Sequence, residues 1–219
     1  RPDTLSSPRS KAPCARATFC AAAGWTSAST RSAARIMAAK NPIIVASDDV
    51  ARADAVKDLV ALSEAMGAGV WFEGIRHHIN FPNRHPNAKG ILPVDAGAIR
   101  NTFGEADLVM LIGGPFFEEV WFTSGLPFPD GATVVQLEEA AARLAHNHAV
   151  DAGLVGHLPT SLGDLTATLK ASGDYQSAAK ARNDALAAES TEARAAYEAR
   201  SQRAWDRDPM SMARAMAEI

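Results

Sequence analysis

The stretch DLVMLIGGPFFEEVWF, residues 107–122, decides the fold of this chain. Its first half is a continuous apolar run, which is typical of a strand buried on both faces of a parallel sheet. Gly113, Gly114 and Pro115 end that strand in a tight turn, and two aromatic pairs follow on either side of a pair of acids. This order predicts a central strand whose exit turn lies where open α/β sheets bind their ligands.

Similar apolar runs lie on both sides of this strand and alternate with helical patterns. The other predicted strands are residues 43–47, 70–74, 132–138 and 148–156. The predicted helices are residues 31–40, 50–66, 96–106 and 158–171, with Asp48 and Asp49 as caps of the second. This alternation predicts βαβ units and a parallel sheet with right-handed crossovers. The prolines and glycine of residues 75–95 predict a long functional or partner-facing loop without regular structure.

The chain divides into three zones. Residues 1–30 are rich in Ser, Ala, Thr and Arg and have no initiator Met, which indicates a disordered or non-native-like extension, with a transit peptide as the alternative. Residues 31–172 hold the α/β pattern. Residues 173–219 are rich in helix-forming Ala, Glu, Arg and Lys and predict a helical extension. The sequence stops inside a predicted amphipathic helix, which indicates a shortened chain.

Composition excludes several classes of function. The 219 residues are 47% hydrophobic and 21% charged, with a net charge of −3, so no basic face for nucleic acid is expected. No apolar run reaches the roughly 18 residues that a membrane span needs. Cys14 and Cys20 have no partners at the spacing of a disulfide framework or a zinc site. We therefore expect a reduced, cytoplasmic protein.

The turn at Gly113 and Gly114 is the candidate nucleotide site. Glycines at a strand exit let a phosphate approach the backbone, and Glu138 or Glu139 after the next strand could bind a ribose. The competing interpretation is a tight exit turn with two acids at a helix N-terminus. Pro115 weakens the phosphate site, because it removes a backbone donor and the stretch is not G-x-G-x-x-G.

The aromatic residues after the turn are candidates for a substrate or interface wall: Phe116, Phe117, Trp121 and Phe122. If they were exposed, a partner or an apolar pocket should cover them. Ordinary burial in the core is the alternative.

The histidines indicate neither a metal site nor a catalytic base. His77, His78 and His85 share the long loop, while His146 and His148 are two residues apart, and no H-E-x-x-H pattern occurs. No G-x-S-x-G elbow and no G-x-x-x-x-G-K-[ST] loop is present. The sequence therefore assigns no catalytic residue and no metal ligand.

In combination, these motifs resemble a known family. The matching segments, in order, are NPIIVASDDV, AMGAGVWFEG, FPNRHPNAKGILP, ADLVMLIGGP, ATVVQLEEA and DLTATL. Over residues 33–169 this order resembles the central domain of thiamine diphosphate-dependent enzymes. Within that family it looks most like the benzoylformate decarboxylase branch, near other 2-oxo-acid decarboxylases and acetolactate synthases.

The resemblance implies a Rossmann-like three-layer sandwich with a mainly parallel six-stranded sheet. In the family this domain lies between a pyrimidine-binding and a diphosphate-binding domain, which form the active sites in paired subunits. The family uses thiamine diphosphate and Mg²⁺, and some members carry FAD or ADP on the central domain. We therefore expect a scaffold and dimerisation domain in a homo-oligomer, whose partners are those two domains or a homologous subunit.

The family's catalytic and cofactor-binding residues have no match in this sequence. The activating glutamate belongs to the first domain and the Mg²⁺-diphosphate motif, G-D-G followed by Asn, to the last, and no G-D-G occurs here. Residues 118–121 also lack the histidine that the benzoylformate branch sends toward its substrate, which argues against that substrate specificity. We expect the chain to be inactive alone and to bind no cofactor. The alternatives are a free-standing FAD- or ADP-binding module and an adaptor whose C-terminal helix docks on a partner.

Overall fold

The fold is a six-stranded parallel sheet covered by helices on both faces. The computed structural model describes residues 28–118 and 124–218. The strands are β1 (Pro42–Ala46), β2 (Gly69–Phe72), β3 (Ala88–Ile91), β4 (Leu108–Ile112), β5 (Thr133–Glu138) and β6 (Ala152–Val155). The helices are α1 (Ala28–Ala38), α2 (Asp49–Arg52), α3 (Val56–Met66), α4 (Ala96–Phe103), α5 (Leu158–Lys170), α6 (Gly173–Arg203) and α7 (Met212–Ala217), with a 3₁₀ turn at Ala141–Arg143.

The strand order β3-β2-β1-β4-β5-β6 is that of a doubly wound sheet. Every strand pair is parallel, and β1 aligns with β4 through Ile44 opposite Met110. The chain builds outward from β1 to β3 and then returns to β4, so the order switches between β1 and β4. The stretch from Leu108 to Ile112 is completely buried, which confirms the prediction of a central strand.

Alternate residues of each strand serve two separate cores. On one face, Ile44, Met110 and Leu137 pack under α1, α3, α5 and α6. On the other face, Val45 and Val109 pack with α4 and with the aromatic residues that follow β4. The predicted three-layer α/β architecture is confirmed.

One predicted feature is wrong: the segment from 75 to 95 contains a strand. β3 pairs with β2, its neighbouring Asn87 carbonyl accepts the Val70 N–H at 2.7 Å, and the Phe72 carbonyl accepts the Leu92 N–H at 2.9 Å. The sequence AKGI has no strand periodicity, so pairing with β2 imposes the extended backbone. β3 is the edge strand, and Ile91 is exposed there.

The predicted helix over residues 50–66 is also wrong in part, because it is interrupted. Asp54 has φ of 53°, a left-handed conformation that Asp tolerates better than most residues, and it separates α2 from α3. Asp48 precedes α2 but makes no side-chain capping hydrogen bond to it. Its carboxylate is instead used by the loop after β2, as described below.

The predicted helical C-terminal extension is confirmed, and its first half packs on the domain. Tyr175 and Ala179 of α6 are buried in the first core. Arg182 donates from Nη2 to the carbonyl oxygen of Met66 at 2.6 Å, which satisfies a free carbonyl at the end of α3. Within the residues described, no helix has the length and apolarity to span a membrane.

Candidate functional site

Three acidic residues hold the loops at the carboxyl edge of the sheet. Asp48 follows β1, Glu73 follows β2, and Glu138 is the last residue of β5. All three are buried, and each accepts hydrogen bonds from backbone N–H groups of a neighbouring loop. This edge contains the switch in strand order, where ligands of open α/β sheets bind.

The exit turn of β4 is packed against the loop after β1. Gly113 and Gly114 have φ of 75° and 147°, values that favour glycine. A methyl group on Gly114 would lie 2.7 Å from the hydroxyl oxygen of Ser47. The Gly113 carbonyl accepts the N–H of Asp49 at 2.9 Å. The glycines therefore permit a close approach of the chain to itself, with Ser47 directly against Gly114.

The side chain of Glu138 accepts a hydrogen bond from the backbone N–H of this turn. Its Oε1 atom accepts the Gly114 N–H at 3.2 Å and the Gln136 amide at 2.9 Å, while its buried Oε2 atom has no hydrogen-bond partner. Burial raises the pKa of Glu138 to about 7, against the opposing effect of these two donors. The charge of Asp49 raises the pKa further and that of Arg143 lowers it. The donor that a phosphate would need is thus already bound to a carboxyl group.

Glu139 serves the next helix. Its Oε1 atom accepts the N–H of Leu158 at 2.9 Å, at the start of α5. The structure therefore brings Gly113, Gly114 and Glu138 together and sends Glu139 to α5. No observation on the described residues favours a nucleotide at these four positions, and their assignment to cofactor binding stays a prediction.

Phe116 and Phe117 are buried in the second core, which confirms the alternative of core burial for this pair. They are 4% and 6% exposed. Both also line the cavity described below, so their role in a substrate or interface wall stays a prediction. The Phe117 ring makes edge contacts with Phe103 and Phe128 at centroid distances of 6.2 Å and 5.7 Å. Trp121 and Phe122 lie outside the described residues, so their predicted wall role stays a prediction.

Glu73 is a residue that sequence reasoning missed. Its Oε2 atom accepts the Phe117 N–H at 3.3 Å. Glu73 follows β2, which lies two positions from β4 in the sheet, so this contact reaches the exit segment of β4 from the side opposite to Glu138. Burial raises the pKa of Glu73 to about 7 although the N–H groups of Phe117, Gly74 and Ile75 lower it, and the nearby Glu118 charge adds to the rise. A charged residue directly after the apolar strand GVWF was the only signal in the sequence.

Asp48 was also missed in its observed role. Its two oxygens accept the His77 N–H at 2.9 Å and 3.0 Å, and Oδ1 accepts the His78 N–H at 3.1 Å. Burial alone would raise the pKa of Asp48, but these donors and Asn80 lower it to about 2. Asp48 is therefore an ionised anchor for the loop after β2.

A cavity of about 1070 Å³ lies beside the exit turn, on the face that α4 covers in part. Its apolar wall includes Leu111, Phe116 and Phe117, and its polar wall includes Arg143 and His146. Arg143 forms an ion pair with Asp49. The cavity thus combines apolar rings with an arginine that is ion-paired and the acid Glu118.

The described residues do not fit a Mg²⁺-diphosphate site. They contain no group of three or more His, Cys, Asp or Glu side chains that could hold a metal ion. In the exit segment, the backbone N–H of Gly114 donates to Glu138, and the backbone N–H of Phe117 donates to Glu73. His85 pairs with Glu64 and His77 with Asp48.

Comparison with known proteins gives a consistent family. Residues 29–165 match the family model described as thiamine pyrophosphate enzyme, central domain. Benzoylformate decarboxylase of Pseudomonas aeruginosa is 30% identical over 155 residues, which are 71% of this chain and 29% of that protein. Sulfoacetaldehyde acetyltransferase of Castellaniella defragrans is 30% identical over 140 residues, covering 61% of this chain and 23% of that protein.

A solved structure has the same fold over most of the chain. The thiamine diphosphate-dependent 4-hydroxybenzoylformate decarboxylase of Rhodococcus jostii RHA1 superposes with a TM-score of 0.64 at 26% identity. The superposition covers 73% of this chain and 30% of that one. The chain thus spans less than a third of the length of the relatives that it matches.

Proposed function

The chain belongs to the family of thiamine pyrophosphate enzyme central domains, and we propose that it is the scaffold and dimerisation domain of a thiamine diphosphate- and Mg²⁺-dependent 2-oxo-acid decarboxylase-like enzyme. It serves by holding a pyrimidine-binding and a diphosphate-binding domain, or a homologous subunit that carries them. The chain has no activity alone, and it works in the cytoplasm as part of a homo-oligomer.

The observation that supports this proposal is the internal pairing of the backbone amides that follow β4. In a ligand-binding α/β domain this edge leaves backbone donors free for the ligand. Here Glu138 takes the Gly114 N–H, Glu73 takes the Phe117 N–H, and Ser47 fills the space above Gly114. A domain in which these exit-turn amides are occupied by its own side chains is suited to support chemistry that is carried out elsewhere.

Thiamine diphosphate supplies an electron sink for cleavage beside a carbonyl group when it is bound in an enzyme. The described residues provide no group of side chains that could hold a metal ion, and the Gly114 and Phe117 amides of the exit turn are occupied by Glu138 and Glu73. The described residues therefore carry out no chemical step, and the contribution of this chain is to position other domains.

One titration and one chimera test the proposal. We expect calorimetry of the full 219-residue chain with thiamine diphosphate and Mg²⁺ to show no binding. We also expect residues 29–165, placed in the matching position of Pseudomonas aeruginosa benzoylformate decarboxylase, to give an assembled chimera that binds the cofactor.

The unmodified decarboxylase is the positive control for both measurements. Tight cofactor binding by the chain alone would contradict the assignment of the chemistry to other domains. A chimera that is folded by circular dichroism but neither assembles nor binds cofactor would contradict the scaffold role.

A further inference from the structure

The backbone of residues 114–118 spans the carboxyl edge between two buried glutamates. Glu138 holds its first residue through the Gly114 N–H, and Glu73 holds its fourth through the Phe117 N–H. The two acids come from β5 and β2, on opposite sides of the central pair β1 and β4. One short segment therefore depends on two glutamates, Glu138 and Glu73, which are 0% and 5% exposed.

The backbone of this segment is held in a costly conformation. Phe117 has φ of 56°, which is a genuine outlier for a bulky side chain. Such strain persists only where the surroundings enforce it. The Glu73 hydrogen bond and the ring contacts with Phe103 and Phe128 provide that enforcement. Loss of the hydrogen bond would favour a relaxed backbone at Phe117.

We propose that Glu73 and Glu138 form a proton-controlled clamp on residues 114–118, which is closed while the two carboxyl groups are protonated and loosens when they ionise. A protonated carboxyl group keeps one oxygen that accepts the backbone N–H, and it avoids the cost of a buried charge. An ionised group gains by reaching water, and movement of the segment that each carboxyl group contacts would give it access. The inference concerns the chain itself and holds independently of the proposed function.

The charged groups around each carboxyl support this direction. Glu118, on the clamped segment, faces Glu73 and disfavours its ionisation. Asp49 has the same effect on Glu138, and Arg143 opposes it while forming an ion pair with Asp49. On the other side of the edge, Asp48 is engaged with His77 and His78.

The sign of the pH dependence follows from linkage. Both acids have a pKa of about 7 in the closed form, against 4.5 for a solvated glutamate. The closed form therefore binds more protons between these two values, and opening becomes easier as the pH rises. The opening constant should rise about tenfold per pH unit for each carboxyl group that is released, and level off above about pH 7. The movement changes the wall of the cavity that Phe116 and Phe117 line.

Amide hydrogen exchange in the full chain tests the clamp. After correction for the intrinsic exchange rate, we expect protection of the Gly114 and Phe117 amides to fall between about pH 5 and pH 7. The His77 amide is an internal control at the same edge, because it donates to Asp48. The pKa of Asp48 is about 2, so this acceptor stays ionised over the whole pH range. Carbon-13 spectra of the glutamate carboxyl groups should show two groups that titrate in the same interval.

Variants assign the effect to the two acids. In the double variant that carries Glu73→Gln and Glu138→Gln, the exchange protection of the Gly114 and Phe117 amides should no longer depend on pH. Glu105→Gln, at an exposed glutamate of the opposite edge, should behave as the parent chain. Constant protection of the two amides in the parent chain, or an unchanged pH dependence in the double variant, would overturn the proposal. The titration of the parent chain decides the question even if the double variant does not fold.

Discussion

The Oε1 atom of Glu138 accepts the backbone N–H of Gly114 at 3.2 Å, so the last residue of β5 fixes the turn that follows β4. This contact favours a tight exit turn over a phosphate cradle at the Gly-Gly-Pro turn. A phosphate cradle needs unoccupied N–H groups, whereas here the donor is satisfied internally. The glycine at 114 is required because Ser47 leaves no room for a side chain.

The pH dependence of stability should reveal the buried glutamates. Their folded pKa of about 7 lies above the unfolded value of 4.5, so the folded state binds more protons between these values. The free energy of unfolding should therefore fall as the pH rises through this interval, by roughly 3 kcal/mol for each acid. We expect Glu138→Gln to remove about half of this decrease, as measured by urea denaturation on both sides of the interval. A parent chain more stable at about pH 8 than at about pH 5 would contradict the prediction.

Asp48 should show the opposite behaviour. Its folded pKa of about 2 lies below the ordinary 3.8, so its contribution is present above 3.8 and is lost as the pH falls through about 2. Replacing it in Asp48→Asn should cost roughly 2 kcal/mol at neutral pH, because the His77 and His78 N–H groups lose a charged acceptor. Asp164→Asn, at an exposed position of α5, is the matched control for chemical denaturation. Equal stability of the two variants at neutral pH would refute the anchoring role.

Two glycine substitutions should have opposite effects. Gly67 ends α3 with φ of 60°, and a methyl group there would lie 2.4 Å from the carbonyl oxygen of Ala179 in α6. Gly67→Ala should destabilise the chain by about 2 kcal/mol through left-handed strain and displacement of α6. Gly163→Ala lies on the exposed side of α5 with no atom near the new methyl group, and it should stabilise by about 0.5–1 kcal/mol. If calorimetry shows that both variants shift the melting temperature in the same direction, this pair of predictions is contradicted.

Nucleotides should leave the thermal stability unchanged. ADP or FAD at millimolar concentration should not raise the melting temperature, because Glu138 and Glu73 occupy the amides of the exit segment. A nucleotide-binding flavoenzyme of this fold family is the positive control for the assay. A rise of several degrees, or a yellow protein after purification, would restore the alternative of a nucleotide-binding module.

The sequence alone was sufficient to predict those strands whose local apolar pattern agrees with their burial in the fold. The continuous apolar run of β4 and the β-branched run of β1 predict buried parallel strands, and both are fully buried at the centre of the sheet. It was insufficient where pairing or distant groups decide the local structure. β3 has no strand pattern and forms because β2 offers it backbone partners. The break at Asp54 interrupts a stretch that helical periodicity alone treats as continuous.

For the candidate site, the sequence by itself determined which residues stand at the exit of β4 and that no metal motif or Gly-rich phosphate loop accompanies them. Only the tertiary structure decided what those residues do. The contacts of Glu138 with Gly114 and of Glu73 with Phe117 join positions 24 and 44 residues apart along the chain. No local pattern reports such distances, because they depend on the order in which parallel strands lie side by side. Burial of these acids, and with it their raised pKa values, arises only when the sheet brings the strand ends together.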